Sequence, residues 1–287
     1  MDINQLRTHI TTLQQRDLAA YVSTLEDRKQ EERNWGNFSR DKQNPHAPPG
    51  ETNESSRANM KWYSTTEKSI GYREEWMKAH VPGKVFVDYA CGNGDMTILA
   101  AKMGAGLAIG IDLSELSVAN GAALAEEEGV SGNTAFFTGD CEATGLPDNS
   151  VDVILCSYML HHVDVGRAYP EMYRILKPGG AVFVSEALAY NPAIKMYRKL
   201  TPELRTEWEK EHILSLKEVR LAKKWFNVGD IRYWHIFSVL GAFLRRVPPL
   251  FNTVMPVLNG LDAVITKIPG VQLMAWQFSF QLVKPRV

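Results

Sequence analysis

Between residues 84 and 188, short apolar runs alternate with stretches of helical periodicity. The runs are VFVDYA, LAIGID, TAFFTGD, VDVILCS and AVFVSEAL. Each is too short for a helix and too continuous for a half-exposed strand, which predicts strands buried on both faces. DMTILAAKMG, SELSVANGAALAEEEG and the segment around residues 167–176 carry helical spacing between them. This alternation predicts a parallel sheet with crossover helices. Right-handed crossovers place the C-terminal ends of the strands on one edge, where α/β sheets bind ligands.

The flanks follow other rhythms. Residues 3–33 read as one long polar-faced helix, with Leu6, Ile10, Leu13, Leu18, Tyr21 and Leu25 three to five residues apart. Residues 34–58 lack periodicity, contain NPHAPPGETNESS and are predicted as a loop or linker. Residues 69–80 are helical in pattern, and Pro82-Gly83 ends them. Beyond Leu188 the alternation loosens. Residues 190–214 are polar and look inserted, 216–226 helical, IRYWHIF strand-like, 238–268 apolar and Pro-broken, and MAWQFSFQLV a closing strand. Residues 1–80 are therefore expected to form a helical lid and linker. Residues 81–287 are expected to form the main domain, with a lid insertion near 190–214 and an apolar cap near 238–268.

Composition narrows the class. The 287 residues are 45% apolar and 23% charged, which excludes collagen-like, coiled-coil and largely disordered chains. Thirty-two Lys and Arg against 33 Asp and Glu leave a net charge of −1. No global field then favours nucleic acid or an anionic bilayer, and only a local basic patch is compatible. Cys91, Cys141 and Cys156 lack metal-ligand spacing, so no metal site is expected, and their odd, sparse number suits a reducing compartment. The polar N-terminus suits neither a secretory nor a transit peptide. The apolar C-terminal runs are cut by Arg245, Arg246, Pro248, Pro249 and Pro256, short of a membrane span. A cytoplasmic protein is the expectation.

The most informative stretch is Val85-Phe86-Val87-Asp88-Tyr89-Ala90-Cys91-Gly92-Asn93-Gly94-Asp95. A strand ending in an acid runs into a glycine turn that opens a helix, whose free N–H groups and lack of side chains let a ligand approach. Alone, such a turn fits packing equally well, and the dinucleotide fingerprint would want Gly or Ala where this chain has Thr97. Four further features stand in order. Asp112 ends LAIGID, 18 residues after Gly94, GDCEA places Asp140 after the third strand, VDVILCSYMLHHV ends the fourth, and RILKPGG precedes the fifth.

Together these motifs resemble the class I, S-adenosylmethionine (SAM)-dependent methyltransferases, in particular the small-molecule branch of the type-11 kind. The resemblance is close over residues 84–188. It implies a Rossmann-like, mostly parallel seven-stranded sheet with helices on both faces. It implies that Gly92 and Gly94, with Ala90 beside them, hold the amino-acid end of SAM, and that Asp88 organises their loop. Asp112, followed by Leu113, would accept the ribose hydroxyls, Asp140 the adenine amine, and Cys141 would offer a backbone N–H. Ser157 would lie near the methionine part, and Tyr63 against the sulfonium, where an aromatic face suits a cation. S-adenosylhomocysteine (SAH) would be the product.

Methyl transfer needs a base only when the nucleophile carries a proton. His161, His162 and Tyr158 follow the fourth strand, and an ordinary imidazole titrates near neutrality. Each histidine reads equally as a helix cap. Glu186 ends the fifth strand, either orienting an acceptor or pairing with a lid arginine. As neighbours on a helix or strand, His161 and His162 should point apart, a second reason to expect no metal. Tyr197, Arg198, Arg205, Glu211 and His212 form a polar set in the insertion that also suits a solvated face. Trp234, Phe237, Phe243, Phe251, Met255, Met274, Trp276, Phe278 and Phe280 either line an apolar acceptor pocket or build core and a homo-oligomer interface. A small-molecule acceptor leads. A protein acceptor and a non-catalytic SAM-binding regulator stand as alternatives, and Cys156-Ser157-Tyr158-Met159 lacks the Asn/Asp-Pro-Pro-aromatic motif of nucleic-acid amino methyltransferases.

Overall fold

The computed structural model describes residues 1–41 and 62–286. In chain order the helices are α1 (Ile3–Gln14), α2 (Leu18–Ser23), α3 (Asp27–Arg40), α4 (Glu67–His80), α5 (Asp95–Lys102), α6 (Glu115–Glu127), α7 (Val165–Ile175), α8 (Pro192–Leu200), α9 (Glu207–Glu211), α10 (Leu216–Ala222) and α11 (Pro248–Ile265). The strands are β1 (Val85–Tyr89), β2 (Leu107–Asp112), β3 (Thr134–Thr138), β4 (Val151–Ser157), β5 (Leu176–Ala187), β6 (Asn227–Val228), β7 (Arg232–Trp234) and β8 (Gln277–Val283).

The sheet order is β3-β2-β1-β4-β5-β8-β6, with β7 also paired to β8. Strands β1 to β5 pair in parallel, and β8 runs against β5. This is the Rossmann-like α/β architecture, with eight strands where seven were expected. The extra strand comes from a break. Val228 pairs with Leu282 and Arg232 with Ser279, so three residues on one strand face two on the other. That bulge splits one edge strand into β6 and β7.

Helices cover both faces. On one, Leu6 and Ile10 of α1 share a core with Ile109, Phe137, Tyr169 and Phe278. On the other, Trp76 and Met77 of α4 pack on Phe86, Leu155 and Phe183. Each fully buried side chain of this size stabilises the fold by about 1.5–3 kcal/mol, and Phe183→Ala would cost about 3–5 kcal/mol.

Two expectations need correction. The single helix over residues 3–33 is three helices, because Asp17 turns its carboxylate onto the N–H of Ala20 and starts a new one. The third, α3, continues to Arg40 through part of the stretch expected to be a loop. Gly36 allows this by close approach, since a Cβ there would lie 3.0 Å from Ser114. The rest of that expected linker, with Asn59, Met60 and Lys61, lies outside the described residues. Near the C-terminus the Pro-broken stretch holds an 18-residue helix, started by Pro248 and Pro249 and continued through Pro256. No helix of the described residues is long and apolar enough to cross a membrane.

Candidate active site

The turn after β1 is held in a conformation that its sequence explains. Ala90, Gly92 and Gly94 all have positive φ, at 58°, 53° and 86°. A Cβ on Gly94 would come within 2.8 Å of the Phe136 ring, so only glycine fits. Asp88 is buried behind the turn and accepts a hydrogen bond from Thr97 Oγ1 at 3.0 Å. Burial pushes its pKa up to about 7, opposed by the Thr97 bond and the charge of Arg73. Thr97, where a dinucleotide fingerprint would have Gly, thus braces the acid of the turn.

Asp112 ends β2. Its carboxylate accepts the N–H groups of Gly92 and Ser114, each at 2.9 Å, and Arg40 Nη1 lies 3.6 Å away. Asp140 accepts Glu142 N–H at 2.8 Å and Lys29 Nζ at 2.7 Å. Glu142 also meets Lys29 at 2.8 Å and Arg28 at 2.6 Å. Burial opposes the charge on Lys29, and the two carboxylates outweigh it and raise its pKa. Helix α3 therefore lays three cations on the acids at the strand ends. Sequence reasoning missed them, although Arg28, Glu32, Gly36 and Arg40 recur every four residues, the signature of one helix face.

Past β4 the backbone turns at Tyr158 (φ 55°) into a short 3₁₀ turn, Leu160–His162. The two histidine rings do not diverge as adjacency on a helix or strand would require. Their centroids are 4.3 Å apart, and both Nε2 atoms face Glu209 Oε1, at 3.4 Å from His161 and 3.9 Å from His162. The Nδ1 atoms are held from behind, His161 by Glu186 at 2.7 Å and His162 by Glu32 at 2.9 Å. Glu186 is fully buried and also accepts Leu160 N–H at 2.6 Å. It reaches neither open space nor a lid arginine.

Burial disfavours an imidazolium at His161, but the carboxylates of Glu186 and Glu209 outweigh it and raise its pKa to about 10. His161 therefore stays protonated through neutrality, against the ordinary titration expected of it. Burial likewise opposes the charge on Glu209, and both histidines lower its pKa to about 2. Two imidazoles and a carboxylate with ligand atoms within 4.8 Å of one another form a donor set that suits a divalent transition metal. A cation there would have to displace the His161 proton. Glu209 was not singled out in the sequence. Its only local mark is the capping box with Thr206 at the start of α9.

One cavity of about 770 Å³ joins these groups. Ala90, Asp112, Leu113, Asp140, Cys141, Tyr63, Tyr158, His161 and His162 line it, while Asp88, Gly92, Gly94, Ser157 and Glu186 do not. Ser157 instead accepts a bond from Arg73 Nη1 at 3.2 Å. Tyr197, Arg198 and Arg205 of the insertion reach the cavity. Glu211 does not, and His212 stacks on Trp208 with centroids 3.6 Å apart. The apolar C-terminal residues divide: Phe243, Met274 and Trp276 line the cavity, and Phe278 and Phe280 fill the core. Tyr63 packs at 6.2 Å from Tyr158 and 5.5 Å from Trp276, and Trp62 at 5.5 Å from Phe243, giving that end an aromatic wall.

Residues 87–184 match a family model described as "Methyltransferase domain". Over 127 residues the chain is 37% identical to the ubiquinone/menaquinone biosynthesis C-methyltransferase UbiE of Hydrogenovibrio crunogenus, covering 41% of this chain and 50% of that protein. The chain thus spans about half the length of the curated relatives it matches. A solved structure of geranyl diphosphate C-methyltransferase from Streptomyces coelicolor A3(2) aligns over 91% of this chain and 99% of its own, with TM-score 0.59 and 16% identity. The [4+2]-cyclase SpnF aligns over 75% and 80%, with TM-score 0.51 and 20% identity. At these identities the structures share the fold.

Proposed function

We propose that this chain, which carries a methyltransferase domain of the class I fold, transfers a methyl group from SAM to a small, largely apolar organic acceptor. One observation carries the reading: a single cavity is lined by Asp112 and Asp140 and also by the paired histidines and a group of aromatic side chains. The domain match and the relatives named as C-methyltransferases support it.

The residues present suit the cofactor. A carboxylate offers about four acceptor sites, and Asp112 uses two of them on backbone N–H groups, leaving room for ribose hydroxyls. Asp140 and the N–H of Cys141 suit an adenine edge, Leu113 lines the cavity beside Asp112, and Ala90, at the start of the turn braced by Asp88, suits the amino-acid end. Bound SAM would supply a methyl on a positively charged sulfur, so the protein's task is to align an acceptor at about 3–3.5 Å. Tyr158 and Trp276, with Tyr63 packed on both, form the aromatic lining of the cavity there. Burial raises the pKa of the Tyr158 phenol, so it stays neutral and can offer a hydrogen bond but not serve as a base.

Base chemistry falls to His162 rather than His161. The His161 proton is locked between two carboxylates, so this residue orients its neighbours. His162 is the more open of the two, with 31% of its side chain exposed against 12%, and Glu32 on Nδ1 would stabilise the imidazolium formed when Nε2 takes a proton.

Incubating the protein with methyl-labelled SAM and an organic extract of cells tests the reading. Label should appear in a small organic-soluble product. Label in protein, or no SAH binding by folded protein in calorimetry, would overturn it. His162→Gln should lower turnover by ~10²-fold or more while leaving SAH affinity unchanged.

A further inference from the structure

We propose that the face formed by α11 and the turns flanking it docks on an anionic lipid bilayer surface, with the mouth of the cavity against the membrane. Docking goes beyond the methyl-transfer reading and does not depend on it.

Apolar exposure is concentrated there. Ten of the fifteen large apolar side chains standing exposed among the described residues lie between Leu240 and Met274. Contiguous exposure on that scale marks an interaction surface. It is also ordered: Leu250, Val257, Leu261 and Val264 stand at i, i+7, i+11 and i+14, so they form one outward stripe along α11. The stripe is not exposed for lack of an inward face. Met255 and Asp262 are buried on the other side, and Asp262 accepts the N–H groups of Phe237 at 2.7 Å and Ser238 at 3.0 Å. These bonds fix the helix on the body with its apolar stripe outside.

Charge selects the occupant. From Ser238 to Trp276 the charged residues are Arg245, Arg246, Lys267 and Asp262. The three cations are exposed and bracket α11, whereas the acid is buried. A face whose exposed charges are all positive complements an anionic headgroup layer and repels a second copy of itself. Since α11 is no candidate membrane span, it would lie in the interface rather than cross it.

Position supplies the reason for docking. Leu240, Phe243 and Met274, in the turns flanking α11, are exposed and also line the cavity. A lipid-dissolved molecule would pass from bilayer to cavity along apolar side chains without entering water.

Flotation of the full chain with vesicles tests this. Vesicles of phosphatidylcholine with about one-third phosphatidylglycerol should carry the protein, and pure phosphatidylcholine should bind it about 25-fold more weakly or worse at low salt. The double variant Val257→Glu/Val264→Glu should lose vesicle binding by about ten-fold or more with an unchanged unfolding midpoint. Arg245→Gln/Arg246→Gln should weaken binding about 25-fold at low salt, about five-fold per arginine. Wild-type protein that ignores both vesicle types overturns the proposal. So does a stable dimer that ignores vesicles and that Val257→Glu/Val264→Glu splits, because the occupant would then be a second copy.

Discussion

Two charged clusters that line one cavity handle buried charge in opposite ways. At the strand ends, Asp112, Asp140 and Glu142 meet Arg40, Lys29 and Arg28, all delivered by α3. The carboxylates around Lys29 raise its pKa and hold its charge. In the neighbouring cluster, which Arg28 joins to the first through the His162 carbonyl, His161 and His162 are held among Glu186, Glu209 and Glu32, and the proton on His161 balances its two carboxylates. The first cluster can exchange a cation for a neutral hydroxyl or amine without moving a proton. The second cannot change partners unless one moves. An arrangement of the first kind suits a ligand that comes and goes intact, and one of the second kind suits chemistry.

The contrast breaks most visibly at His161. His161→Gln leaves Glu186 and Glu209 facing each other with no cation between them, and should destabilise the fold by about 3–5 kcal/mol, the usual cost of removing one partner of a buried pair. Chemical denaturation would measure it. The pH dependence has a definite sign. With the His161 pKa raised to about 10, its stabilisation is complete below the ordinary histidine value and is lost as pH rises through about 10. Stability should therefore decline from about pH 6.5 toward pH 10 in the wild type, and that decline should vanish in the variant. A flat wild-type profile would mean the pair does not hold its proton.

A smaller effect is expected in the strand-end cluster. Asp112→Asn keeps the shape of the side chain but removes its charge, and should weaken SAH binding by about 2 kcal/mol, roughly 30-fold, in calorimetry. Unchanged affinity would reduce Asp112 to a brace for Gly92 and Ser114. The smallest effect sharpens the comparison by its absence. Chelation with EDTA should leave activity as it was, because the His161 proton occupies the place a cation would need. Loss of activity, restored by zinc, would show that a metal and not a proton balances the histidine cluster.

The same division explains what could be read from the chain. Strands β1 to β5 and the acids Asp88, Asp112 and Asp140 were legible because each lies in a local pattern, an apolar run ending in an acid or a glycine turn. Lys29 was not, since its partner Asp140 is 111 residues away and the pairing exists only after α3 crosses the strand ends. Glu209 was hidden for the same reason: it meets the histidines from the polar stretch 190–214, whose sequence looks like a solvated face. The divergence expected of His161 and His162 failed on backbone geometry, because the 3₁₀ turn after the left-handed Tyr158 brings both rings to one side. The count of strands failed over one extra residue in the edge strand.

Helix α3 also bears on timing. It forms one wall of the cavity and is fastened to the strand ends through Arg28, Lys29 and Arg40 together. In the proposed cycle, SAM and SAH share nearly the same outline and both lie beneath this wall. Replacing one with the other requires several fastenings to release at once, whereas the acceptor enters from the opposite side past Phe243 and Met274. Exchange of the spent cofactor would then be the slow event. The first turnover of a preloaded enzyme would outrun every later one, producing a burst of product equal to the number of active sites.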